Sequence, residues 1–284
     1  MAMAAALAQG DAAVRVKGRT MLELVLNTPY EGFAKTVANL FEGHGTISLG
    51  ARKYTEDYYE WQLIIRLDLK DWQFLIEAKN SMRIPDFVKT DDELRAYLAM
   101  MLACEGHITL EEANKGRTND TTTTFFVTVL TNTNEQLIND IEARLRELGY
   151  SVSRIVPSRA GEIHKDQYGR VYATRQDGHR LLLYTRQDVH RFLTWLGRVP
   201  HPTKEAQRVV TLRILRENAK NPIRWRHVVE LRDRLQLAHE MAAEFGRRRA
   251  KQFFETVQAE VDTGRRRDTR PLKAQSAPFH QPTH

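Results

Sequence analysis

Two stretches decide how this chain is read: Val37-Ala38-Asn39-Leu40-Phe41-Glu42-Gly43-His44-Gly45-Thr46-Ile47 and Leu98-Ala99-Met100-Met101-Leu102-Ala103-Cys104-Glu105-Gly106-His107-Ile108. In each, an apolar helical run closes on a small or acidic residue, a polar residue, Gly and the start of a strand. One copy alone would be an ordinary amphipathic helix with a Gly stop. The duplication is what carries information.

The flanking patterns repeat as well. A helix over Tyr30 to Phe41 precedes an alternating strand, Thr46 to Arg52. A second strand follows in which Tyr59, Trp61, Leu63, Ile65 and Leu67 alternate with Glu60, Gln62, Ile64, Arg66 and Asp68. A helix from Asp71 to Lys79 closes this first set. The second set opens on the acidic turn Asp91-Asp92-Glu93 and a helix through Cys104. It continues with strands at His107–Glu112 and Thr122–Leu130, a polar turn at Asn114–Asn119, and a helix at Asn134–Leu148. Strands at Ser151–Val156, Arg170–Thr174 and His179–Tyr184 and helices at Gln187–Leu196 and Lys204–Glu217 complete it. Only Ser81 to Thr90 separate the sets, so the first reads as abbreviated.

At 284 residues, with 42% hydrophobic and 28% charged residues, the chain has ample material for a core. Lys and Arg outnumber Asp and Glu by 43 to 36, a net charge of +7 and a pI near 9.5. That balance favours a polyanionic partner, although an unspecialised basic surface gives the same number. Arg247-Arg248-Arg249 and Arg265-Arg266-Arg267 are basic clusters, readable as solvated surface or as phosphate contacts. No apolar run approaches the roughly 18 residues of a membrane span. The single cysteine, Cys104, excludes an intramolecular disulfide and a multi-Cys zinc site, and it suits an intracellular, reducing compartment. Residues 1–25, Ala-rich at the start, read as a disordered leader or a transit peptide.

The paired runs resemble the motif helices of the LAGLIDADG homing endonucleases, over roughly Tyr30 to Leu215. The segment Pro200-His201-Pro202-Thr203-Lys204-Glu205-Ala206-Gln207 is similar to the start of that family's final helix. The resemblance implies an α+β fold of pseudo-twofold αββαββα repeats, with antiparallel sheets forming a DNA-binding saddle. On this reading 26–88 is the first, abbreviated repeat, 89–220 the second, and 221–284 a helical extension with a basic tail. Two motifs in one chain imply a monomer.

It also implies a catalytic centre where each motif helix delivers one acid from its last turn. Glu105 takes that place in one copy and His44 in the other, both as metal ligands, and Lys204 reaches toward the same centre. The metal would be Mg²⁺, or Mn²⁺ in view of His44, since imidazole suits Mn²⁺ better. Glu105 as a surface acid, His44 as a capping histidine and Lys204 as a helix-start lysine are the plain alternatives. Strand alternation puts Ser48, Arg52, Gln62 and Arg66 on the face that would meet double-stranded DNA, Arg and Gln being able to bind guanine and adenine edges. The implied function is metal-assisted, site-specific DNA cleavage. A binding protein on the same fold, an intron RNA maturase or a DNA-binding regulator, is the alternative. No phosphate-binding Gly loop, zinc spacing or nucleophile elbow points to another enzyme class.

Overall fold

The computed structural model describes residues 1–113, 122–165, 171–220 and 225–263. The expected turn at Asn114–Asn119 and the Arg265–Arg267 cluster lie outside them. The first half runs α1 (Ala2–Gln9), β1 (Ala12–Lys17), β2 (Met21–Thr28), α2 (Glu31–Leu40), β3 (Gly45–Lys53), β4 (Tyr59–Asp68), α3 (Leu69–Trp72) and α4 (Phe74–Ser81). The second runs α5 (Asp91–Glu105), β5 (His107–Ala113), β6 (Thr122–Asn132), α6 (Glu135–Glu147), β7 (Val152–Ser158), β8 (Ile163–Lys165), β9 (Val171–Ala173), β10 (Gly178–Leu183) and α7 (Arg186–Leu196). Two further helices follow, α8 (Pro202–Lys220) and α9 (Trp225–Asp262).

The fold is α+β, with two four-stranded sheets ordered β1-β2-β4-β3 and β5-β6-β10-β7. These orders are the same once β10 is matched to β4, the β8–β9 ribbon being an insertion before the last strand. The first half is therefore complete rather than abbreviated. The hairpin expected at 46–67 is its second strand pair, and the first pair is β1–β2, inside what reads from sequence as a leader. Residues 1–25 are a helix and two strands, which corrects the disordered-leader expectation. Six of the eight α1 residues are alanine or leucine and all but Met3 are buried. A helix apolar on every side has no amphipathic signature, because it is enclosed on every side.

Two compact units form, Met1–Ala12 with Gln73–Met241, and Ala13–Trp72 with Ala242 onward. In the second of these, β4 pairs antiparallel with β2 (Leu24↔Ile65, Leu26↔Leu63) and with β3. Helix α2 lays Phe33, Ala34, Val37 and Ala38 on β2 and β4, as α6 lays Leu137, Ile138, Ile141 and Leu145 on its own sheet. The run Val37–Phe41 is thus a sheet-facing helix and not a motif helix, and Asn39 points to solvent. The last part of α9 covers the same core: Ala250, Phe253 and Phe254 pack on Tyr59 and Trp61. The Trp61 indole donates to the Gly246 carbonyl at 3.1 Å. Arg249 pairs with Glu31 at 2.7 Å and Arg247 lies over the Tyr58 ring, so two of the three arginines in that cluster serve this packing.

In the other unit, α5 begins at a capping box in which Thr90 and Glu93 satisfy each other's backbone groups. It packs against α1 and α7, while α1 also packs on α4. The α1–α5 crossing is close: a Cβ on Gly10 would stand 2.7 Å from the Cys104 Cβ. Gly10→Ala should therefore cost about 1–3 kcal/mol through overpacking. Cys104→Gly should recover part of that and Cys104→Ala none, because the clash is with Cβ itself. Urea unfolding of the three variants checks this. Among the described residues no helix is long and apolar enough to cross a membrane.

Candidate active site

Helix α1 ends at Gln9, and Gly10 and Asp11 follow at its foot; Glu105 is the last residue of α5. Since α1 and α5 pack together, the two acids come to one place. The charge of Asp11 reaches Glu105, whose carboxyl is pushed up to about 7, by burial first and then by that charge. Asp11 is raised too, by the protein density around it, against the pull of Lys204, Cys104 and Lys79. The Asp11 residue itself remains exposed, so the pair is accessible to solvent.

Two lysines complete the cluster. Lys204, 9% exposed, donates from Nζ to the carbonyls of Leu102 (3.1 Å), Ala103 (2.6 Å) and Cys104 (3.3 Å), the open end of α5. Lys79, from α4, does the same at the end of α1, with the Gly10 carbonyl at 3.5 Å and the Ala12 carbonyl at 3.3 Å. Cations at helix C-termini are favourable for the macrodipole. Burial holds both lysines below the usual ammonium range, while Asp11 and Glu105 oppose that shift. So the foot of each of these two packed helices has one carboxylate with a lysine from another helix beside it. Burial lifts the Cys104 thiol well above its ordinary value, which makes it a poor nucleophile.

The start of α8 is fastened from α9. Thr203 Oγ1 shares hydrogen bonds with the Nδ1 atoms of His201 (3.1 Å) and His239 (2.8 Å), and the two rings stack. Burial and the Lys204 charge hold His201 near 3, so it stays neutral.

Of the residues singled out from sequence, Glu105 and Lys204 share this cluster. His44 does not. It lies exposed in the turn after α2, edge-on to Trp72 at 5.5 Å between ring centres. Its place is taken by Asp11, because the helix that pairs with α5 is α1 and not α2. The signal that could have found Asp11 is Ala4-Ala5-Ala6-Leu7-Ala8-Gln9-Gly10-Asp11 followed by a strand, an ending close to Cys104-Glu105-Gly106. Sequence reasoning misses Lys79 because its helix, read by itself, has no site to serve.

On the sheet face opposite Trp61, Leu63 and Ile65 lie Gln62 and Arg66, half-buried, with Ser48 and Arg52 beside them. Ser48 is 5% exposed, so as a groove-facing contact it is corrected: it offers no free surface. Arg52 is held by Glu60 at 2.6 Å, Gln62 by Asn27 at 3.1 Å and Arg66 by Glu23 at 3.3 Å. The corresponding face of the other sheet carries a cleft of about 440 Å³ lined by His107, Thr109, Thr128, Thr131, Ile155, Arg180 and Leu182. Arg180 Nε has no hydrogen-bond partner among the described residues.

Residues 92–197 match the family model described as a LAGLIDADG-like domain. Among solved structures, a lysine-to-alanine mutant of I-SmaMI is similar at 10% identity over 84% of this chain and 98% of that one, with a TM-score of 0.44. Full-length DUF199/WhiA from Thermatoga maritima is similar at 9% identity over 84% and 68%, TM-score 0.45. I-GzeII, crystallised with its DNA target, is similar at 8% identity over 81% and 94%, TM-score 0.45. No curated protein matches the chain.

Proposed function

We propose that this chain, whose residues 92–197 match the LAGLIDADG-like domain model, is a site-specific DNA endonuclease of the homing type that hydrolyses phosphodiester bonds with a divalent cation. The observation that carries this reading is the meeting of Asp11 and Glu105 at the feet of two packed helices, one beside the buried Lys204 and the other beside the half-buried Lys79. Carboxylates fixed to rigid elements keep a set separation, as a preorganised centre needs.

The donor set fits such an ion. Both carboxyls are raised in a partly buried place, and the charge of Asp11 adds to the rise at Glu105. An oxygen-seeking cation between them would relieve that repulsion. Among the described residues no group of three or more Asp, Glu, His or Cys could hold a metal. A pair of carboxylates is enough for Mg²⁺, which keeps waters and takes phosphate oxygens as its remaining ligands. A bound cation would supply a more acidic water and charge neutralisation at the phosphate. Asp11 and Glu105 would hold it, and Lys79 and Lys204 would temper the local negative charge. As a two-motif chain the protein would act as a monomer.

Half-buried Gln62, Arg52 and Arg66 on one sheet, and Arg180 on the other, are the side chains that would read base edges. Arg180→Ala should weaken binding of the preferred duplex by about 1–3 kcal/mol and relax preference at a single base pair. Target selection from a random duplex library, then binding at about 50 and 200 mM salt and cleavage with Mg²⁺ or Mn²⁺, tests the proposal. Affinity unchanged across that salt range would remove the DNA reading.

One observation favours a binding protein that does not cut, whether on DNA or on intron RNA. All three Nζ protons of Lys204 are directed at α5 carbonyls, which leaves none for a phosphate. Specific binding with no cleavage in either metal would select that reading.

A further inference from the structure

The outer face of the first sheet is built as a row of cross-strand pairs. On β4 the even-numbered residues from Glu60 to Arg66 point away from the core residues Trp61, Leu63 and Ile65, and each stands opposite residues of the flanking strands. Arg52 of β3 faces Glu60, Asn27 of β2 faces Gln62, Val25 faces Ile64 and Glu23 faces Arg66. Glu60 and Glu23 are 8% and 3% exposed. Arg52 gives Nε and Nη2 to one oxygen of Glu60, both at 2.6 Å, and its guanidinium lies over the Tyr54 ring at 5.1 Å. The Gln62 amide donates to Asn27 Oδ1 at 3.1 Å. Glu23 is gripped from two sides, by Lys17 Nζ at 3.2 Å and by Arg66 Nε at 3.3 Å, the second an ion contact without hydrogen-bond geometry.

Stability alone does not ask for these polar pairs. Taking a carboxylate out of water often costs more than its partner returns, and an aliphatic pair of similar size holds two strands as well. Val25 and Ile64 are such a pair, set between polar ones. What the polar pairs add is direction. A free arginine or glutamine side chain must be immobilised when it binds, at about two- to tenfold in affinity for each. A grip on the Nε side meets that cost in the folded chain and leaves the Nη1–Nη2 end, which pairs with guanine O6 and N7. On the second sheet the residues opposite Arg180 are Thr131 and Ile155, which bring no charge to hold it.

We propose that Glu60, Asn27 and Glu23 are positioning residues: they hold Arg52, Gln62 and Arg66 in the orientation that reads base edges, so the pairs set the sequence preference of this sheet. The two carboxylates are too enclosed to meet a base themselves. Two acids on this face also weaken attraction to any phosphate backbone, whatever its sequence. The pairs therefore exchange general affinity for discrimination. This rests on the nucleic-acid reading above and adds to it which residues govern the choice of target.

The test measures binding of whole-chain variants to the selected duplex, to its single-base variants and to an unrelated duplex. Glu60→Ala, Asn27→Ala and Glu23→Ala are each expected to lower discrimination about fivefold at one base pair. That base pair is the one relaxed by Arg52→Ala, Gln62→Ala or Arg66→Ala respectively, and combining both changes of a pair adds nothing further. The two acid deletions should also bind the unrelated duplex about two- to threefold tighter, the opposite of what a loosened sheet gives. Thermal unfolding without DNA checks the fold. Should Glu60→Ala or Glu23→Ala melt early, Glu60→Asp and Glu23→Asp keep the charge, shorten the reach and are expected to relax the same base pairs. Discrimination unchanged at those positions, or lowered evenly along the target, overturns the proposal. A preference that Arg52→Ala, Gln62→Ala and Arg66→Ala all leave intact overturns it too, while the duplex reading survives. A natural chain that binds no duplex defeats that reading, and the proposal with it.

Discussion

Asp11→Asn and Glu105→Gln are each expected to reduce cleavage of the selected target by about three orders of magnitude while leaving duplex affinity within about twofold. If the two acids hold the cation as proposed, loss of either would remove several kcal/mol of charge stabilisation at the transition state, and each 1.36 kcal/mol is a factor of ten. The contact area with DNA is hardly altered, since both acids lie at helix feet rather than on the sheet faces. His44→Asp should change neither rate nor metal preference, because His44 sits on an exposed turn against Trp72. Single-turnover cleavage with Mg²⁺ and gel-shift binding, run on all three variants, measure this. If His44→Asp alone alters activity, the pairing of α1 with α5 is not the catalytic one.

Gln9→Leu should cost about 2–5 kcal/mol of stability, from two or more unsatisfied buried groups at about 1–3 kcal/mol each. Gln9 is 2% exposed and ties three elements together. Its Nε2 donates to the carbonyls of Ala78 (3.0 Å) and Arg83 (2.7 Å), and its Oε1 accepts from the Tyr97 hydroxyl. The Ala78 carbonyl keeps the Met82 amide as a partner. The Arg83 carbonyl and the Tyr97 hydroxyl lose theirs. Tyr97→Phe added to Gln9→Leu should restore about 1–2 kcal/mol, since deleting both partners is milder than orphaning one. Denaturant unfolding of the double-mutant cycle gives the answer. Equal losses in the double and the single variant would mean that the Tyr97–Gln9 bond does not stabilise the helix pair.

What can be read from residues alone is whatever has a period. The strand Tyr59–Asp68 alternates, α6 repeats at helical spacing, and α5 announces itself by its acidic cap and Gly stop. Glu105 is legible at that Gly stop, whereas Lys204 is reached only through the resemblance of Pro200–Gln207 to the start of a family helix. Helix α1 is not legible, because an alanine helix buried on all sides looks the same as a low-complexity leader. Alanine serves there by being small: the helices approach until a single methyl on Gly10 would collide with Cys104. The β2 run Met21-Leu22-Glu23-Leu24-Val25-Leu26 hides in the same way, with Glu23 buried at 3% and held by Lys17 and Arg66. With that half read as a leader, α2 is the only apolar helix left to pair with α5, and His44 follows from the mispairing. Lys79 is invisible without Asp11. A site made of two helix ends cannot be half found.

The lysines at those helix ends also constrain how the centre can change. The Lys204 ammonium closes the last carbonyls of α5, the Lys79 ammonium holds the Gly10 and Ala12 carbonyls just past α1, and each offsets the charge of the acids beside it. Replacing Lys204 by methionine would therefore untie the end of α5 in the same step that alters the electrostatics of the acids. An inactive Lys204 variant is then no proof of a chemical role, and a destabilised one no proof of a structural role. Under the proposed function, the route by which cleavage would be lost is through Asp11 or Glu105, which can become amides without loosening either helix. The carboxylates can drift while the lysines are kept by the fold.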